Sequence, residues 1–414
     1  METSDKKLHG SDPPRLWVIS EVYYPEETST GYYLTSIAEG LSKHFQVKVL
    51  CGQPNYSVRG LRAKRHEIRN GVEILRAAGT TLNRNFVVFR LVNMITLGMS
   101  VLWQGLRQFR RGDKVLVVTT PPNMPFIAAT ASLMRGCAYV LLIHDSYPEV
   151  LVAVGKAKAN SVLVKAIHFL NRWLFKHASK IIVVGRDMQK LVQKKTQGLG
   201  VPIAVIQNWA EVDEVLPTKR DENELIRKLG ISDKLVVLHA GNIGQPTETK
   251  TIVDAMKILA DDDRFHFIFI GSGVKKIDLD IAIESFGLRN VTLLDPMPRS
   301  KQIEFLNAGD VGLVSLVSGM YGAAMPSKTY NLLAAGKAVL ALTEPETELA
   351  MVIDEDKLGW HVEPGDVEKL VSRLEEIYEA RDKLGEIGSR ARRVAEQKYS
   401  LDRAIERYTL ELRP

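Results

Sequence analysis

Cysteine is scarce in this chain of 414 residues, which holds only Cys51 and Cys137. Two cysteines this far apart provide neither a disulfide framework nor the paired spacing of a zinc site. Because both lie in or beside apolar segments, we predict two buried, reduced thiols and no metal site. The chain also lacks basic motifs with interleaved aromatic residues, so we predict no nucleic-acid partner.

The N-terminal residues do not contain the apolar run of a secretory signal peptide. Residues 1–14 are polar and charged and include Pro13 and Pro14, so we expect a flexible tail and a cytoplasmic protein. The length of the chain exceeds that of one compact core and predicts two domains of about 200 residues each.

Positive charge is concentrated in the first half of the chain. Residues 1–215 hold 28 Lys and Arg against 16 Asp and Glu, whereas the remainder holds 27 against 33. Such a basic half indicates contact with something anionic. Since no nucleic-acid motif is present, an anionic membrane surface is the better candidate.

One apolar stretch, residues 86–106, has nearly the length needed to cross a membrane. A polar stripe runs along it, formed by Arg90, Asn93, Thr96, Ser100 and Gln104, and three basic residues follow it: Arg107, Arg110 and Arg111. The stripe argues against a spanning helix. Two interpretations remain favoured: a helix packed on a sheet, or the same helix with an exposed end that contacts a membrane. Residues 163–176 form either a second contact or an ordinary amphipathic helix.

Short apolar runs alternate with helical patterns along the whole chain. The predicted strands are Leu16–Ser20, Val47–Cys51, Val72–Arg76, Lys114–Thr119, Ala138–Ile143, Lys180–Val184, Ile203–Ile206, Leu235–Ala240, Phe265–Ile270, Val291–Leu294, Val311–Leu316 and Ala338–Leu342. Continuous Val, Ile and Leu runs between helices are typical of parallel strands covered on both faces. We therefore predict two doubly wound α/β domains, joined by a linker near residues 208–218.

Ligands bind open α/β sheets at the carboxyl ends of the strands, so the loops after strands are the candidate sites. The loop after the first strand leads to Gly31 at a helix start, which either lets a ligand approach the backbone or simply forms a turn. After another strand come His144 and Asp145. This pair is placed to bind substrate hydroxyls or to handle a proton, or else it only orients the loop.

Two further loops lie in the second half of the chain. Gly241, Asn242, Gly244 and Gln245 follow the first strand there and suit a backbone cradle for a diphosphate. Ser327 and Lys328 follow Pro326 at a predicted helix start, where an N-cap hydroxyl, a cation and free N–H groups favour phosphate. The alternative for Lys328 is a solvated lysine on the helix face.

These motifs, in this order and spacing, resemble those of family 4-type retaining glycosyltransferases, and more narrowly those of bacterial colanic-acid and O-antigen enzymes. The matching pieces are residues 24–31, 119–122, 144–149, 208–209, 240–244, 326–337 and 348–350. The resemblance implies the GT-B architecture: two Rossmann-like domains, a cleft between them and a C-terminal helix that returns to the first domain. The implied domains are 15–212, with the returning helix at 396–414, and 213–395.

The resemblance also implies roles for particular residues. Gly31 matches a loop glycine near the donor phosphates, His144 a position near the reacting carbon of the donor sugar, and Lys328 the diphosphate clamp. Asp145 joins His144 as a catalytic candidate. The candidate donor-binding residues are Gly31, Gly241, Asn242, Gly244, Gln245, Ser327, Lys328 and Asn331. The acceptor and membrane side comprises Tyr24, Thr30, Tyr32, Arg107, Arg110 and Arg111.

The sequence departs from the family pattern at two positions. Family members usually carry two glutamates eight positions apart, the first near the donor sugar and the second near the nucleotide ribose. Here Ala323 and Asn331 stand instead. Asn331 retains the capacity to hydrogen-bond hydroxyl groups, whereas Ala323 does not. Gln245 also replaces a usual arginine, and Thr247 stands where many relatives carry a cation. An altered donor, or reduced or lost activity, is the expected consequence.

The sequence therefore predicts a retaining glycosyltransferase that uses a nucleotide diphosphate sugar, with no cofactor and no metal. The expected acceptor is a polyprenyl-diphosphate-linked saccharide at the cytoplasmic face of the membrane, with the enzyme bound there peripherally. Two other classes remain open. One is a catalytically silent GT-B protein that binds a glycan or nucleotide as an assembly partner, and the other is a nucleotide-sugar epimerase.

Overall fold

The protein is described here by a computed structural model that covers residues 13–55, 62–83 and 86–413. Residues 1–12 of the predicted tail lie outside the described residues. Cys51 and Cys137 are both buried, as predicted, and burial raises the pKa of the Cys51 thiol to about 12.

The first sheet has eight strands: β1 (Arg15–Ile19), β2 (Gln46–Cys51), β3 (His66–Arg69), β4 (Val72–Arg76), β5 (Lys114–Val118), β6 (Ala138–Ile143), β7 (Lys180–Val183) and β8 (Ile203–Val205). Their order is β3-β4-β2-β1-β5-β6-β7-β8. β1 pairs in parallel with both β2 and β5, whereas β3 runs antiparallel to β4 at one edge. β3 was not among the predicted strands, because its sequence His-Glu-Ile-Arg has a single apolar residue, which is exposed.

Six helices follow strands of this sheet: α1 (Ser29–Leu41), α2 (Val87–Gln108), α3 (Met124–Arg135), α4 (Glu149–Ala153), α5 (Val162–His177) and α6 (Arg186–Lys195). Local signals set the ends of several of them. The hydroxyl of Thr28 accepts a hydrogen bond from the N–H of Gly31 and caps α1, and Gly136, with a φ of 68°, ends α3. These helices cover an apolar sheet, as a doubly wound fold requires.

The second sheet has six strands: β9 (Leu235–Ala240), β10 (Phe265–Ile270), β11 (Val291–Leu294), β12 (Val311–Ser315), β13 (Ala338–Leu342) and β14 (Gly359–Val362). Their order is β11-β10-β9-β12-β13-β14, and neighbouring strands pair in parallel throughout. β10, β12 and β13 are buried along their whole length, which explains their unbroken apolar sequences. All twelve predicted strands are confirmed, and β14 is an addition to them.

Within the described residues 213–413, nine α-helices follow: α7 (Glu224–Leu229), α8 (Lys250–Ile258), α9 (Lys276–Phe286), α10 (Gln302–Asn307), α11 (Lys328–Ala334), α12 (Glu348–Glu355), α13 (Val367–Glu379), α14 (Leu384–Lys398) and α15 (Leu401–Leu412). The hydroxyl of Thr347 accepts from the N–H of Ala350 and caps α12. Glu348 is therefore the first residue of a helix, as its position in the sequence indicated.

The chain divides into two compact units. The first contains the described parts of Met1–Leu142, His177–Lys180 and Tyr408–Pro414, and the second contains Ile143–Lys176 and Ile181–Arg407. In the first unit, Lys114 Nζ donates to the carbonyl oxygen of Leu412 over 2.9 Å. The end of the C-terminal helix thus returns to the first unit, as predicted. The predicted domain boundary at residue 212 stays a prediction.

Candidate functional site

The loop after β9 and the start of α11 bring a cation to a glycine-containing turn. Lys328 Nζ lies 2.8 Å from Nε2 of His239, near the end of β9, and 3.4 Å from the carbonyl oxygen of Asn242. Gly241 and Asn242 are exposed, so this turn is open to a ligand from solvent. The structure therefore brings together three of the predicted donor-binding residues, 89 or fewer positions apart in sequence.

Gly241 is required at this turn by both its conformation and its contacts. Its φ of 128° lies in a region that residues with a side chain rarely adopt. A Cβ atom there would also lie 3.3 Å from Cε of Lys328. A larger residue would therefore strain the turn and press on the lysine.

Burial sets the charge of the Lys328 ammonium group. Desolvation lowers the pKa of Lys328 to about 7. The pKa of His239 is lowered well below its usual value, first by burial and then by the charge of Lys328, so the imidazole is neutral. A neutral imidazole accepts a hydrogen bond from the lysine and holds its Nζ at the turn. An anion at this position would favour the cationic form of Lys328.

A second cation, Lys275, lies at the same loop and was not found in the sequence analysis. Lys275 Nζ donates to the carbonyl oxygen of Thr247 over 2.6 Å, and the Lys275 N–H donates to the carbonyl oxygen of Ile243 over 3.0 Å. Lys275 precedes α9, after a different strand from the one that leads to Thr247. The loop after β9 lacks a cation at Thr247, and Lys275 from the neighbouring loop after β10 supplies one there.

The segment that leads into α11 is held from three directions. Asp187 Oδ2 accepts from the N–H of Gly322 over 3.0 Å, and the N–H of Ser146 donates to the carbonyl oxygen of Ala323 over 2.7 Å. Asp145 and Ala324 form an antiparallel bridge. The loop of the catalytic candidates therefore lies directly against the segment that positions Lys328.

His144 and Asp145 differ in the charge that burial favours. Desolvation lowers the pKa of His144 to about 4, so its imidazole is neutral at pH 7. Desolvation raises the pKa of Asp145 to about 6, so its carboxylate is mostly ionised at pH 7 but is easily protonated below it. Shifted pKa values at a strand end are typical of functional sites. The chemistry available here is hydrogen bonding by a neutral imidazole beside a weakly acidic carboxyl group.

Lys195 fixes the remainder of this loop. Its Nζ lies 2.5 Å from Glu149 Oε2 and 3.1 Å from both the hydroxyl of Ser146 and the carbonyl oxygen of Tyr147. Ser146 and Glu149 of the motif are therefore occupied in an internal network. This network stabilises the loop that carries His144 and Asp145.

The amide of Asn331 is paired with the carboxylate of Glu211. Asn331 Nδ2 donates to Glu211 Oε1 over 2.7 Å, and Asn331 Oδ1 accepts from the N–H of Glu211 over 3.0 Å. Arg299 forms an ion pair with the same carboxylate, which is almost fully buried. A carboxylate thus lies beside position 331 although residue 331 is not acidic. No sequence pattern predicts this contact, because 120 residues separate the two positions.

Ser327 and the loop residues Gly244 and Gln245 are the remaining candidates on the donor side. Ser327 precedes α11, but its hydroxyl forms no capping hydrogen bond to the helix, because its own backbone already has helical angles. The expectation of an N-cap hydroxyl at Ser327 was therefore wrong. Gly244 is buried and Gln245 is half-buried in the loop after β9. Ala323 is fully buried.

The acceptor-side candidates belong to the first unit. A Cβ atom on Gly31 would lie 2.7 Å from the carbonyl oxygen of Glu26, so the close turn at the start of α1 needs glycine. Thr30 and Tyr32 are half-buried beside it, and the exposed ring of Tyr24 is stacked under the guanidinium of Arg69. These residues gather around one loop at the carboxyl end of β1.

The basic candidates Arg107, Arg110 and Arg111 are exposed at the end of α2. The guanidinium of Arg107 lies 4.6 Å from the ring centroid of Trp103. The opposite face of α2 packs on α3, where a Cβ atom on Gly98 would lie 2.5 Å from Ile127. By length and composition α2 could cross a membrane, but one such helix is weak evidence, and core helices of soluble proteins meet the same criteria.

Two doubly wound sheets, with a lysine held at a glycine turn on a strand end, define a doubly wound α/β protein with a candidate anion site at the strand ends. Comparisons with known proteins agree with this class. The family model described as glycosyl transferases group 1 matches residues 221–394, and the model of the glycosyl transferase 4-like domain matches residues 29–209. The chain therefore belongs to the family 4-type glycosyltransferases, as the sequence motifs indicated.

Relatives and solved structures extend over nearly the whole chain. It is 29% identical to the probable glycosyltransferase WbjE of Pseudomonas aeruginosa, over 97% of this chain and 98% of that protein. It is 26% identical to WcaI of Escherichia coli, described as a colanic acid biosynthesis glycosyl transferase, over 85% and 89% of the two chains. Anabaena HepE in complex with UDP-glucose has 15% identity and a TM-score of 0.69, over 96% and 98%. The fold is thus GT-B.

Proposed function

We propose that this protein is a retaining glycosyltransferase that moves a sugar from a nucleotide diphosphate sugar to a hydroxyl group of a lipid-linked saccharide. The observation that carries the proposal is Lys328, held by His239 at the exposed turn of Gly241 and Asn242. A leaving diphosphate carries negative charge, and a fixed cation beside free backbone groups stabilises that charge as it develops. Surface polysaccharide biosynthesis is the proposed process, and the description of WcaI supports it.

The donor diphosphate is proposed to bind at the loop after β9. Lys328, the clamp lysine, contacts one side of this loop and Lys275 contacts another, so Lys275 supplies a cation that the loop sequence lacks. Lysine acts as a point charge on phosphate, which suits a diphosphate without bidentate geometry. The complex of HepE with UDP-glucose supports a nucleotide sugar as the donor class.

His144 and Asp145 are proposed to contact the donor sugar near the reacting carbon. Their loop lies against residues 323–324, which directly precede the turn into Lys328. A neutral imidazole donates or accepts hydrogen bonds at sugar hydroxyls without adding a charge. The acceptor hydroxyl then attacks from the face that the diphosphate leaves, so the sugar keeps its anomeric configuration.

The paired side chains of Asn331 and Glu211 are proposed to meet hydroxyl groups of the nucleotide. Asn331 lies three residues after Lys328 on α11, and residues at this spacing occupy neighbouring positions on one helix face. Glu211 supplies the carboxylate that residue 331 lacks. This arrangement restores the hydrogen-bond acceptor next to the diphosphate site.

A second candidate function is a catalytically silent protein that binds a glycan or nucleotide. The buried Ala323 favours it, because no side-chain carboxylate is available at that position for the donor sugar. The intact contact between Lys328 and the loop after β9 supports donor binding under either function.

Labelled donors distinguish these functions. UDP-, GDP- and dTDP-sugars carrying an isotope in the sugar are incubated with the protein, with and without a prenyl-diphosphate-linked saccharide. Transfer of label to the acceptor is the expected result. Tight donor binding without turnover would identify a silent protein, and a changed sugar without acceptor would identify an epimerase.

An outer face of α2 is proposed to bind the membrane surface. Five apolar side chains, each between 48% and 68% exposed, follow one another at three- and four-residue steps: Val88, Leu91, Ile95, Met99 and Trp103. Arg107, Arg110 and Arg111 extend from the end of this stripe. An apolar stripe with adjacent cations is the arrangement that binds an anionic lipid interface. The exposed Phe169 and Leu170 of α5 form a second, separate candidate.

The membrane proposal is tested with vesicles. Met99→Glu places a charge in the stripe and is expected to lower the fraction of protein that sediments with anionic vesicles, because burial of a carboxylate in the interface is costly. The matched control is Lys43→Glu, at an exposed residue of the same unit. Equal sedimentation of Met99→Glu and wild-type protein would reject this face of α2.

A further inference from the structure

A pocket of about 760 Å³ lies in the first unit, beside the loop that follows β1, where Arg76 donates to the carbonyl oxygen of Tyr24. It opens where the paired parallel strands β2 and β4 end, next to Gly52 and Ala77. The described residues that line it are Gln53, Pro54, Asn55, Arg62, Ala63, Arg65, Arg76, Ala77, Ala78, Gly79, Thr81 and Asn83. Its volume and its place at strand carboxyl ends are those of a ligand site.

The pocket has an excess of positive charge. The described residues that line it include three arginines and no Asp or Glu. Arg76 is buried, and its charge is met by Glu67, whose Oε1 lies 2.5 Å from Arg76 Nη1. Arg62 and Arg65 are exposed, and within the described part of the chain neither forms an ion pair. Two guanidinium groups therefore remain to be neutralised by a ligand.

The segment that carries these two cations is fixed to the sheet edge. The side-chain amide of Gln53 donates to the carbonyl oxygen of Ala63 over 3.2 Å and accepts from the Ala63 N–H over 3.1 Å. Arg76 Nη1 donates to the carbonyl oxygen of Lys64 over 2.7 Å, and the Arg76 N–H donates to that of Arg65 over 2.8 Å. The backbone of Arg65 and that of Ala63, next to Arg62, are thus held by hydrogen bonds, which lowers the entropy cost of binding.

The lining chemistry selects a class of ligand. Guanidinium groups bind phosphate oxygens through paired hydrogen bonds, and two unpaired cations match the charge of a diphosphate. The amides of Asn55 and Asn83 and the hydroxyl of Thr81 suit sugar hydroxyls next to it. The described lining contains no aromatic ring on which a nucleic-acid base would stack.

We propose that this pocket binds the diphosphate group of the acceptor, through Arg62 and Arg65. The identification of the ligand as the acceptor rests on the proposed function, whereas the affinity for a diphosphate follows from the pocket itself.

Inorganic pyrophosphate is the first probe, measured by calorimetry at low salt. The titration uses the Lys328→Ala/Lys275→Ala background, in which both lysines of the proposed donor site are absent. The double variant Arg62→Ala/Arg65→Ala is expected to bind pyrophosphate at least about tenfold more weakly. Arg62→Lys/Arg65→Lys keeps the charge but loses the paired hydrogen bonds. Its pyrophosphate affinity is expected to lie between those of the parent protein and the double alanine variant. Lys43→Ala, an exposed cation outside the pocket, is the matched control, and equal thermal unfolding confirms that each variant is folded. Undiminished affinity in the double alanine variant would overturn the proposal.

Acceptor kinetics then separate the pocket from the proposed function. With a water-soluble short-chain prenyl diphosphate saccharide, the double alanine variant is expected to show a raised acceptor KM and an unchanged donor KM. With the same saccharide on an uncharged alkyl group, the two proteins are expected to be equal. Transfer with an unchanged KM for the diphosphate acceptor would refute the pocket while the transferase function stands. If the double alanine variant loses pyrophosphate binding and the wild-type protein transfers no sugar, the pocket is supported and the transferase function is refuted.

Vesicles of phosphatidylglycerol identify a lipid headgroup as the source of the phosphate. If these vesicles compete with pyrophosphate for the pocket, and the double alanine variant no longer shows this competition, the acceptor assignment is overturned. Competition by the prenyl diphosphate alone would support it.

Discussion

Donor binding is expected to weaken as pH rises through 7, because Lys328 must carry a proton to bind diphosphate. Desolvation lowers the pKa of this lysine to about 7 in the free protein. A bound diphosphate favours the cation and raises that pKa again. Affinity is therefore highest below pH 7, where Lys328 is already protonated, and falls above pH 7, where binding must take up a proton.

The size of the effect follows from the fraction of Lys328 that is protonated. If the pKa in the complex stays above 8.5, affinity falls about 25-fold between pH 6.5 and pH 8.5, or about 2 kcal/mol. The measurement is calorimetry with an intact nucleotide sugar, whose diphosphate does not titrate in this range. Repeating it in buffers of different ionisation enthalpy counts the protons taken up on binding.

Lys328→Arg is the matched control for this experiment. Arginine keeps its charge throughout the range, so affinity in the variant is expected to be independent of pH. Two results would show that protonation of Lys328 does not control donor binding. One is a wild-type affinity that does not change between pH 6.5 and 8.5, and the other is a decline that persists in the arginine variant.

Three further predictions concern other parts of the structure. His144→Ala is expected to lower turnover about 100-fold with little change in donor affinity, because His144 is proposed to contact the sugar rather than the diphosphate; wild-type turnover would remove it from the site. Glu348→Ala is expected to lower the free energy of unfolding by about 3 kcal/mol, because it leaves Arg186 without the buried carboxylate that accepts from its N–H and Nε. Lys228→Ala breaks an exposed helical pair and should leave urea unfolding unchanged. Gly241→Ala is expected to weaken donor binding about tenfold through backbone strain, and an unchanged dissociation constant would contradict that reason.

The strands could be predicted from sequence because their signal is local. Runs such as Phe265–Ile270 and Ala338–Leu342 are apolar throughout, which is the pattern of a strand covered on both faces. β3 and β14 lack such runs, since they lie at sheet edges with one exposed or mixed side. The short helix α4 escaped prediction because five residues carry no complete helical period.

The candidate site was predictable only in part, for a related reason. Gly241 and Lys328 are recognisable because each belongs to a short motif, Gly241 directly after a strand and Lys328 at a helix start. His239, Lys275 and Glu211 act on these motifs through contacts between distant segments, and no spacing in the sequence signals them. The apparent losses at Thr247 and Asn331 are thus offset by residues from elsewhere in the chain.

The basic first half of the sequence has two separate structural outcomes. Arg107, Arg110 and Arg111 follow the exposed apolar stripe of α2, whereas Arg62 and Arg65 face a defined pocket. Charge counting indicated an anionic partner without distinguishing these locations, because only the fold determines which cations lie together.

The anomeric configuration of the transferred sugar shows whether the protein is a retaining glycosyltransferase. Nuclear magnetic resonance follows the anomeric proton while the wild-type protein converts its donor and a prenyl-diphosphate saccharide to product. We expect a product with the same anomeric configuration as the donor, formed at a rate that Lys328→Ala reduces. A product of inverted configuration, or donor binding without any product, would contradict it.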